Sequence, residues 1–314
     1  MKTTERTLPR LGLLLLSSTL ACQTTSHDTQ PAGLGTSSRT SAMEQNLEAP
    51  GPIHFERVLA ADWVVTRAGL INLEHPEAQK AGLEDGDEPI QIYFYALRHP
   101  TRGLFLVDTG VEAALRDDPD RAAVRGLVRA GMNAEALKIH QDTKSWLAAQ
   151  PTKVAGVLMT HLHLDHVMGL PDVPAGTPVY TGPGEGGARS FLNAFVQGST
   201  DRTLAHLPPL SELEFQPDPD GRSAGVLDLF GDGSVYAISA PGHTPGSVAY
   251  LIRSTEGPVL LTGDTCHTKF GWEHEVEPGD FTADQAQNRA ALLNLTALQK
   301  THPTLRVYLG HQSL

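Results

Sequence analysis

The stretch Thr160-His161-Leu162-His163-Leu164-Asp165-His166 constrains this chain more than any other part of it. Three imidazoles and a carboxylate follow directly on the apolar run Val154-Ala155-Gly156-Val157-Leu158-Met159. A run of that length and character reads as a short buried strand. The cluster therefore begins where a strand ends, which is where layered α/β domains carry their chemistry. Side chains repeat every two residues along extended backbone, so His161 and His163 project to the same side. Asp165 and His166 follow where the chain must turn, and they converge on the same point from another direction. Imidazoles and a carboxylate gathered in this way suit zinc, with manganese and iron as competitors.

Three later strand ends repeat the arrangement. Val235 to Ser239 reads as a strand and leads into Ala240-Pro241-Gly242-His243-Thr244-Pro245-Gly246. The glycines and prolines of that segment hold a tight turn that can aim His243 inward. Pro258 to Thr262 ends in Gly263-Asp264-Thr265, and Leu305 to Leu309 ends in Gly310-His311-Gln312. Four ligands packed into six residues cannot all reach one tetrahedral ion. Seven ligands from four strand ends call for two ions.

The first half of the chain supplies scaffold. Phe55 to Val65, Gln91 to Leu97 and Gly103 to Val107 read as strands, with a hairpin at Pro100 to Gly103 between the last two. Asp108, in the turn Asp108-Thr109-Gly110, is expected to accept backbone N–H bonds beneath the site rather than to bind metal. Helices are expected near Arg121 to Ala130 and Asn133 to Ala148. After the strand Pro178 to Tyr180 comes Thr181-Gly182-Pro183-Gly184-Glu185-Gly186-Gly187, formally G-x-G-x-x-G. With proline inside it and no complete βαβ unit around it, it reads as a loop bordering the substrate cleft, not as a dinucleotide site.

At the start of the chain, Lys2, Arg6 and Arg10 precede the apolar Leu11 to Leu16 and the mostly small Ser17 to Ala21. Residues 1–21 read as a signal peptide, too short to span a bilayer as a mature helix. Thr19-Leu20-Ala21-Cys22 resembles a bacterial lipoprotein signal, although Thr19 stands where leucine is usual. The expectation is export to the periplasm, outer membrane or cell surface, with a lipid anchor at Cys22. Residues 22–52 are rich in Ser, Thr, Gln, Pro and Gly and are expected to form a flexible tether. That leaves 53–314 as a single layered α/β catalytic domain. The net charge of −12, with no Lys/Arg cluster beyond the leader, argues against nucleic acid as a partner. With Cys22 lipidated or removed, Cys266 has no intramolecular disulfide partner.

His161-x-His163-x-Asp165-His166, His243 in Gly-His-Thr-Pro-Gly, Asp264 in Gly-Asp-Thr and His311 in Gly-His together resemble the metallo-β-lactamase fold superfamily over about residues 105 to 311. The resemblance implies a four-layer αββα sandwich with two divalent metal ions at one sheet edge. It implies zinc first, with iron or manganese as alternatives. It assigns His161, His163 and His243 to one ion, Asp165, His166 and His311 to the other, and Asp264 to both.

A two-metal site makes a bound water acidic near neutral pH and polarises a carbonyl or phosphoryl oxygen, which points to hydrolysis of a small ester, lactone or amide. Asp165 is the expected orienter of that water and carrier of its proton. Within the superfamily the chain resembles the N-acyl-homoserine lactonases. The features are Leu106 to Gly110, a Thr282 to Gln299 helix with a Thr282/Gln285 capping box, and Gly310-His311 at the end. Those enzymes carry a tyrosine three residues after the bridging aspartate. Here His267 stands in that place, and it is expected to act catalytically as the hydrogen-bond or proton donor. The aromatics of Phe270-Gly271-Trp272-Glu273-His274 are expected to line an acyl or leaving-group pocket.

The alternatives within the fold are a β-lactamase or a thioesterase of the glyoxalase II type. The latter would need a further C-terminal domain, and this chain stops three residues after His311. The non-enzymatic alternative is a metal-binding surface lipoprotein.

Overall fold

The computed structural model describes residues 22–45 and 47–314. The expected signal peptide, residues 1–21, lies outside them.

Two sheets pack face to face. One has eight strands, in the spatial order Thr29–Pro31, Leu210–Glu212, Val179–Thr181, Val154–Leu158, Gly103–Val107, Asp87–His99, His54–Thr66, Lys138–Ile139. The other has six: Arg306–Tyr308, Gly257–Leu261, Val248–Ser254, Val235–Ser239, Val226–Asp228, Thr36–Ser38. Strands between layers need apolar residues on both faces, and the sequence supplies them with period two. In Asp87–His99, Ile90, Ile92, Phe94 and Ala96 enter the outer core beneath the helices, while Tyr93, Tyr95 and Leu97 enter the core between the sheets. In Val248–Ser254, Ala249 and Leu251 face the other helical layer, and Val248, Tyr250 and Ile252 face the first sheet.

Helices cover both outer faces, giving the expected αββα order. The Gln285–Thr301 helix lays Ala291, Leu292, Leu295 and Leu298 on the six-stranded sheet. Leu164, Val167, Trp146 and Leu204 come from helices over the eight-stranded one. The Gln285–Thr301 helix is capped by Asp284, whose carboxylate accepts the Gln287 N–H at 2.9 Å. The expected Thr282/Gln285 capping box is therefore incorrect. An ionised acceptor nearer the first turn is the stronger cap, because it also meets the helix dipole.

The two long helices expected over 121–148 are broken into short pieces: Gly126–Gly131, a 3-10 turn Ala134–Ala136, the two-residue strand Lys138–Ile139, and Thr143–Ala148. Asn133 adopts a left-handed conformation (φ 51°) that ends the first piece. Asp142 caps the last through the Ser145 N–H at 2.8 Å.

Residues 22–52 are not a tether. Thr29–Pro31 pairs in parallel with Leu210–Glu212 at one edge of the first sheet, and Thr36–Ser38 pairs antiparallel with Val226–Asp228 at the edge of the second. Thr40 is held through its N–H and its hydroxyl by Asp218, and Met43 and Leu47 are fully buried beneath the second sheet. A polar composition does not prevent this. An open sheet edge offers backbone donors and acceptors, so an added strand needs few apolar side chains.

The topology places the chemistry at one rim of the sandwich. Gly103–Val107 and Val154–Leu158 are parallel neighbours, as are Gly257–Leu261 and Arg306–Tyr308. Val235–Ser239 and Gly257–Leu261 both run antiparallel to Val248–Ser254 and so run the same way as each other. Within each sheet, then, the ends that carry the expected ligands point in one direction.

Candidate metal centre

The seven expected ligands converge. Two groups of side chains present ligand atoms within 4.8 Å of one another: His161, His163, His243 and Asp264, and Asp165, His166, Asp264 and His311. Asp264 belongs to both. Its Oδ2 lies 3.6 Å from His161 Nε2, 3.5 Å from His243 Nε2, 3.3 Å from His166 Nε2 and 3.3 Å from His311 Nε2. Asp165 Oδ2 adds a contact of 3.1 Å to His311 Nε2.

Outer partners turn the rings inward. A carboxylate or carbonyl can only accept, so the tautomer follows from the partner. His166 donates from Nδ1 to Asp108 Oδ2 at 2.8 Å, and His311 donates from Nδ1 to the Gln91 carbonyl at 3.1 Å. His243 Nδ1 pairs with Thr282 Oγ1 at 3.2 Å, and His161 Nδ1 lies 3.1 Å from Thr160 Oγ1. In all four rings Nε2 is the atom turned to the centre, and in His166 and His311 the partner also fixes the proton on Nδ1. His163 is the exception, presenting Nδ1 at 2.9 Å from His243 Nε2.

Asp108 has the expected supporting role: Oδ1 accepts the Thr160 N–H at 2.8 Å, at a left-handed backbone (φ 55°) that aims the side chain beneath the site.

The donor set fits cations. Nε2 of His161, Nε2 of His166 and Oδ1 of Asp264 are buried with no hydrogen-bond partner, an arrangement that costs free energy unless something else meets those lone pairs. The charges indicate the same. Burial would raise the Asp264 carboxyl, yet the surrounding imidazoles hold it well below the usual range. Burial would lower His311, yet Asp264 and Asp165 push it up to about 10; His166 is also pushed well above its ordinary value by Asp264, Asp108 and Asp165. Burial, with the neighbouring imidazoles, drives His161 and His243 well below. Three carboxylates thus draw positive charge into a closed space, and divalent ions would bring that charge without protonating the rings.

His267 sits inside this cluster and is almost fully buried. It donates from Nδ1 to the Leu70 carbonyl at 2.9 Å, which sets Nε2 3.0 Å from Asp264 Oδ2. The aromatics after it do not line a pocket as expected. Trp272 is buried in the core beneath the second sheet, bonded to Gln299 at 2.6 Å, and Phe270 stacks on His274.

Glu185 is a site residue that sequence reasoning passed over. It is 1% exposed, and its two oxygens accept the Leu162 and Gly246 N–H groups, each at 2.9 Å. One carboxylate therefore joins the turn carrying His161 and His163 to the turn carrying His243. Burial raises its pKa. The loop that contains it was expected to border the substrate cleft. It packs against the turns that carry His161, His163 and His243, so closely that a Cβ on Gly182 would strike the Gly246 carbonyl. The available signal was a lone acidic residue in a glycine-rich turn directly after a strand.

Gly310 is equally constrained, since a Cβ there would collide with Asp264 Oδ1.

Comparison with known proteins is consistent with this geometry. The sequence profile described as the metallo-beta-lactamase superfamily matches residues 85–311. The N-acyl homoserine lactonase AttM of Azorhizobium caulinodans is 28% identical over 201 residues, covering 62% of this chain and 72% of that protein. The protein of the same name from Agrobacterium fabrum is 28% identical over 229 residues, covering 72% and 83% respectively. A solved quorum-quenching N-acyl homoserine lactone hydrolase superposes with a TM-score of 0.59 at 18% identity, over 84% of this chain and 93% of its own.

Proposed function

The chain belongs to the metallo-beta-lactamase superfamily and is a metallohydrolase, and from that premise we propose that it uses two divalent ions to open the ring of N-acyl homoserine lactones. The observation that carries the two-ion reading is the sharing of Asp264 between two complete ligand groups. The lactone reading is supported by relatives of that name that align over most of their own length.

His161, His163 and His243 would hold one ion, Asp165, His166 and His311 the other, and Asp264 both. The ligand chemistry favours zinc. The ions, when bound, supply the charge that polarises a carbonyl oxygen and makes water acidic near neutral pH. The residues do the rest. Asp108 and the Gln91 carbonyl keep His166 and His311 in the tautomer that leaves Nε2 free. Asp165 has the more accessible side chain of the two ligating carboxylates, 16% exposed against 3% for Asp264. It is held ionised: burial opposes this, but His166 and His311 outweigh it. Asp165 is thus the group able to take a proton from the attacking water and pass it to the leaving oxygen. His267, with Nδ1–H held by the Leu70 carbonyl, turns Nε2 to the centre where the phenol would stand; the neutral ring accepts through that atom, and it donates there only when both ring nitrogens carry a proton.

Hydrolysis of a panel of N-acyl homoserine lactones, an aryl ester and a β-lactam, followed by proton release, tests the reading. Lactone turnover well above the other two is expected. Turnover confined to the ester or the β-lactam would overturn the substrate, and turnover undiminished by a chelator would overturn the ions.

A further inference from the structure

A cluster of large apolar side chains lies on the surface beside Cys22. Phe191, Leu192 and Phe195 are 76%, 56% and 63% exposed. The rings of Phe191 and Phe195 meet edge to face, with centroids 5.4 Å apart. Leu127, 92% exposed, belongs to the Gly126–Gly131 helix that packs against the Asn193–Leu204 helix bearing Phe195.

The strand Arg189–Ser190 immediately before the cluster pairs antiparallel with Cys22–Gln23, in the register Cys22 to Ser190 and Gln23 to Arg189. Thr24 bonds through its N–H to the Ala188 carbonyl at 2.9 Å, and Asn193 Nδ2 donates to that carbonyl at 3.1 Å. Cys22 is therefore fixed one residue away from Phe191 in the pairing, with no slack between them. The position where the sequence expects a lipid anchor and the exposed apolar cluster form a single surface element.

We infer that this face rests on a lipid bilayer, with Phe191, Leu192 and Phe195 in the headgroup and acyl boundary and the catalytic domain held against the membrane. Aromatic and leucine side chains on a locally exposed helix start are the groups that partition into that boundary. Arg189, exposed and paired with Gln23, supplies a cation at the level of the phosphates. No helix of the described residues is long and apolar enough to cross a membrane. The four side chains together present roughly 500 Å² of apolar surface, short of the ~800 Å² per partner that a stable dimer buries. A bilayer needs no matching surface.

The test places a reporter in the cluster. The full chain carrying Phe195→Trp is mixed with vesicles of phosphatidylethanolamine and phosphatidylglycerol, with and without brominated acyl chains. The native Trp63, Trp146 and Trp272 are buried and give the wild-type baseline. The inference predicts a blue shift with vesicles and quenching by the brominated lipid, beyond that baseline. It also predicts at least a fivefold weaker shift when Phe191→Ser and Leu192→Ser are added. Emission that stays red while the protein co-sediments with vesicles would mean that an anchor holds the chain with this face turned away. Failure to co-sediment at all would equally overturn the inference. A blue shift that grows with protein concentration without lipid, together with a doubled mass, would assign the face to a second copy of the chain.

Discussion

Replacing Asp108 by asparagine removes one charge beneath the centre and little else. The backbone there is left-handed (φ 55°), which asparagine adopts readily, so the turn survives. In the native chain Oδ1 accepts the Thr160 N–H and Oδ2 accepts His166 Nδ1–H, both at 2.8 Å. An amide has only one acceptor end. With its oxygen on Thr160, its NH₂ faces His166 Nδ1, and the imidazole must move its proton to Nε2, the atom the centre needs. Reversed, it leaves the buried Thr160 N–H unpaired, at a cost of about 1–3 kcal/mol. Either way, metal affinity of the group formed by Asp165, His166, Asp264 and His311 should fall by about 10- to 100-fold, or about 1.4–2.8 kcal/mol. The group formed by His161, His163 and His243 should weaken less, because Asp108 reaches it through Thr160 Oγ1, which donates to Asp108 Oδ2 at 2.9 Å and lies 3.1 Å from His161 Nδ1. Competitive titration against a chromogenic chelator separates the two steps. Equal weakening of both steps, or an unchanged second step, would refute the tautomer argument.

Gly310→Ala should abolish tight metal binding while leaving far-ultraviolet circular dichroism intact, because the added methyl meets Asp264 Oδ1; full metal content in this variant would contradict the packing. Glu185→Ala leaves two buried backbone N–H groups without acceptors, so the unfolding free energy in urea should drop by about 2–5 kcal/mol, and His163 and His243 should lose affinity together. Burial pushes Glu112 from 4.5 up to about 7. Its protonated form is therefore favoured by folding, and its contribution is complete below pH 4.5 and lost as pH rises through about 7. Glu112→Gln should remove that slope, about 2 kcal/mol after allowance for solvent screening, from stability measured across the range. Leu47→Ala should destabilise the chain by about 2–4 kcal/mol, whereas a tether would show no change.

The convergence of the candidate ligands was legible in the sequence because they stand at strand ends marked by glycine and proline turns. His161, His243, Asp264 and His311 each follow an apolar run, and one rim of a sandwich can gather them all. The strands themselves were legible where both faces are apolar, as in Val235–Ser239 and Gly103–Val107. What escaped was structure made by backbone and by single polar atoms. Residues 22–52 add to sheet edges with Thr, Ser and Gln, which carry no periodic signal. Glu185 and Thr282 act through one or two hydrogen bonds to positions far along the chain, and no local spacing announces such partners. The expected helices over 121–148 failed because turn chemistry at Asn133 and Asp142 outweighed residue propensity.

Metal content of the purified full chain tests the central claim most directly. Mass spectrometry under native conditions, or elemental analysis per polypeptide, should give two divalent ions per chain, falling to one in a His311→Ala variant and likewise to one in His163→Ala. One ion in the native chain, or two in either variant, would contradict a centre in which Asp264 serves both groups.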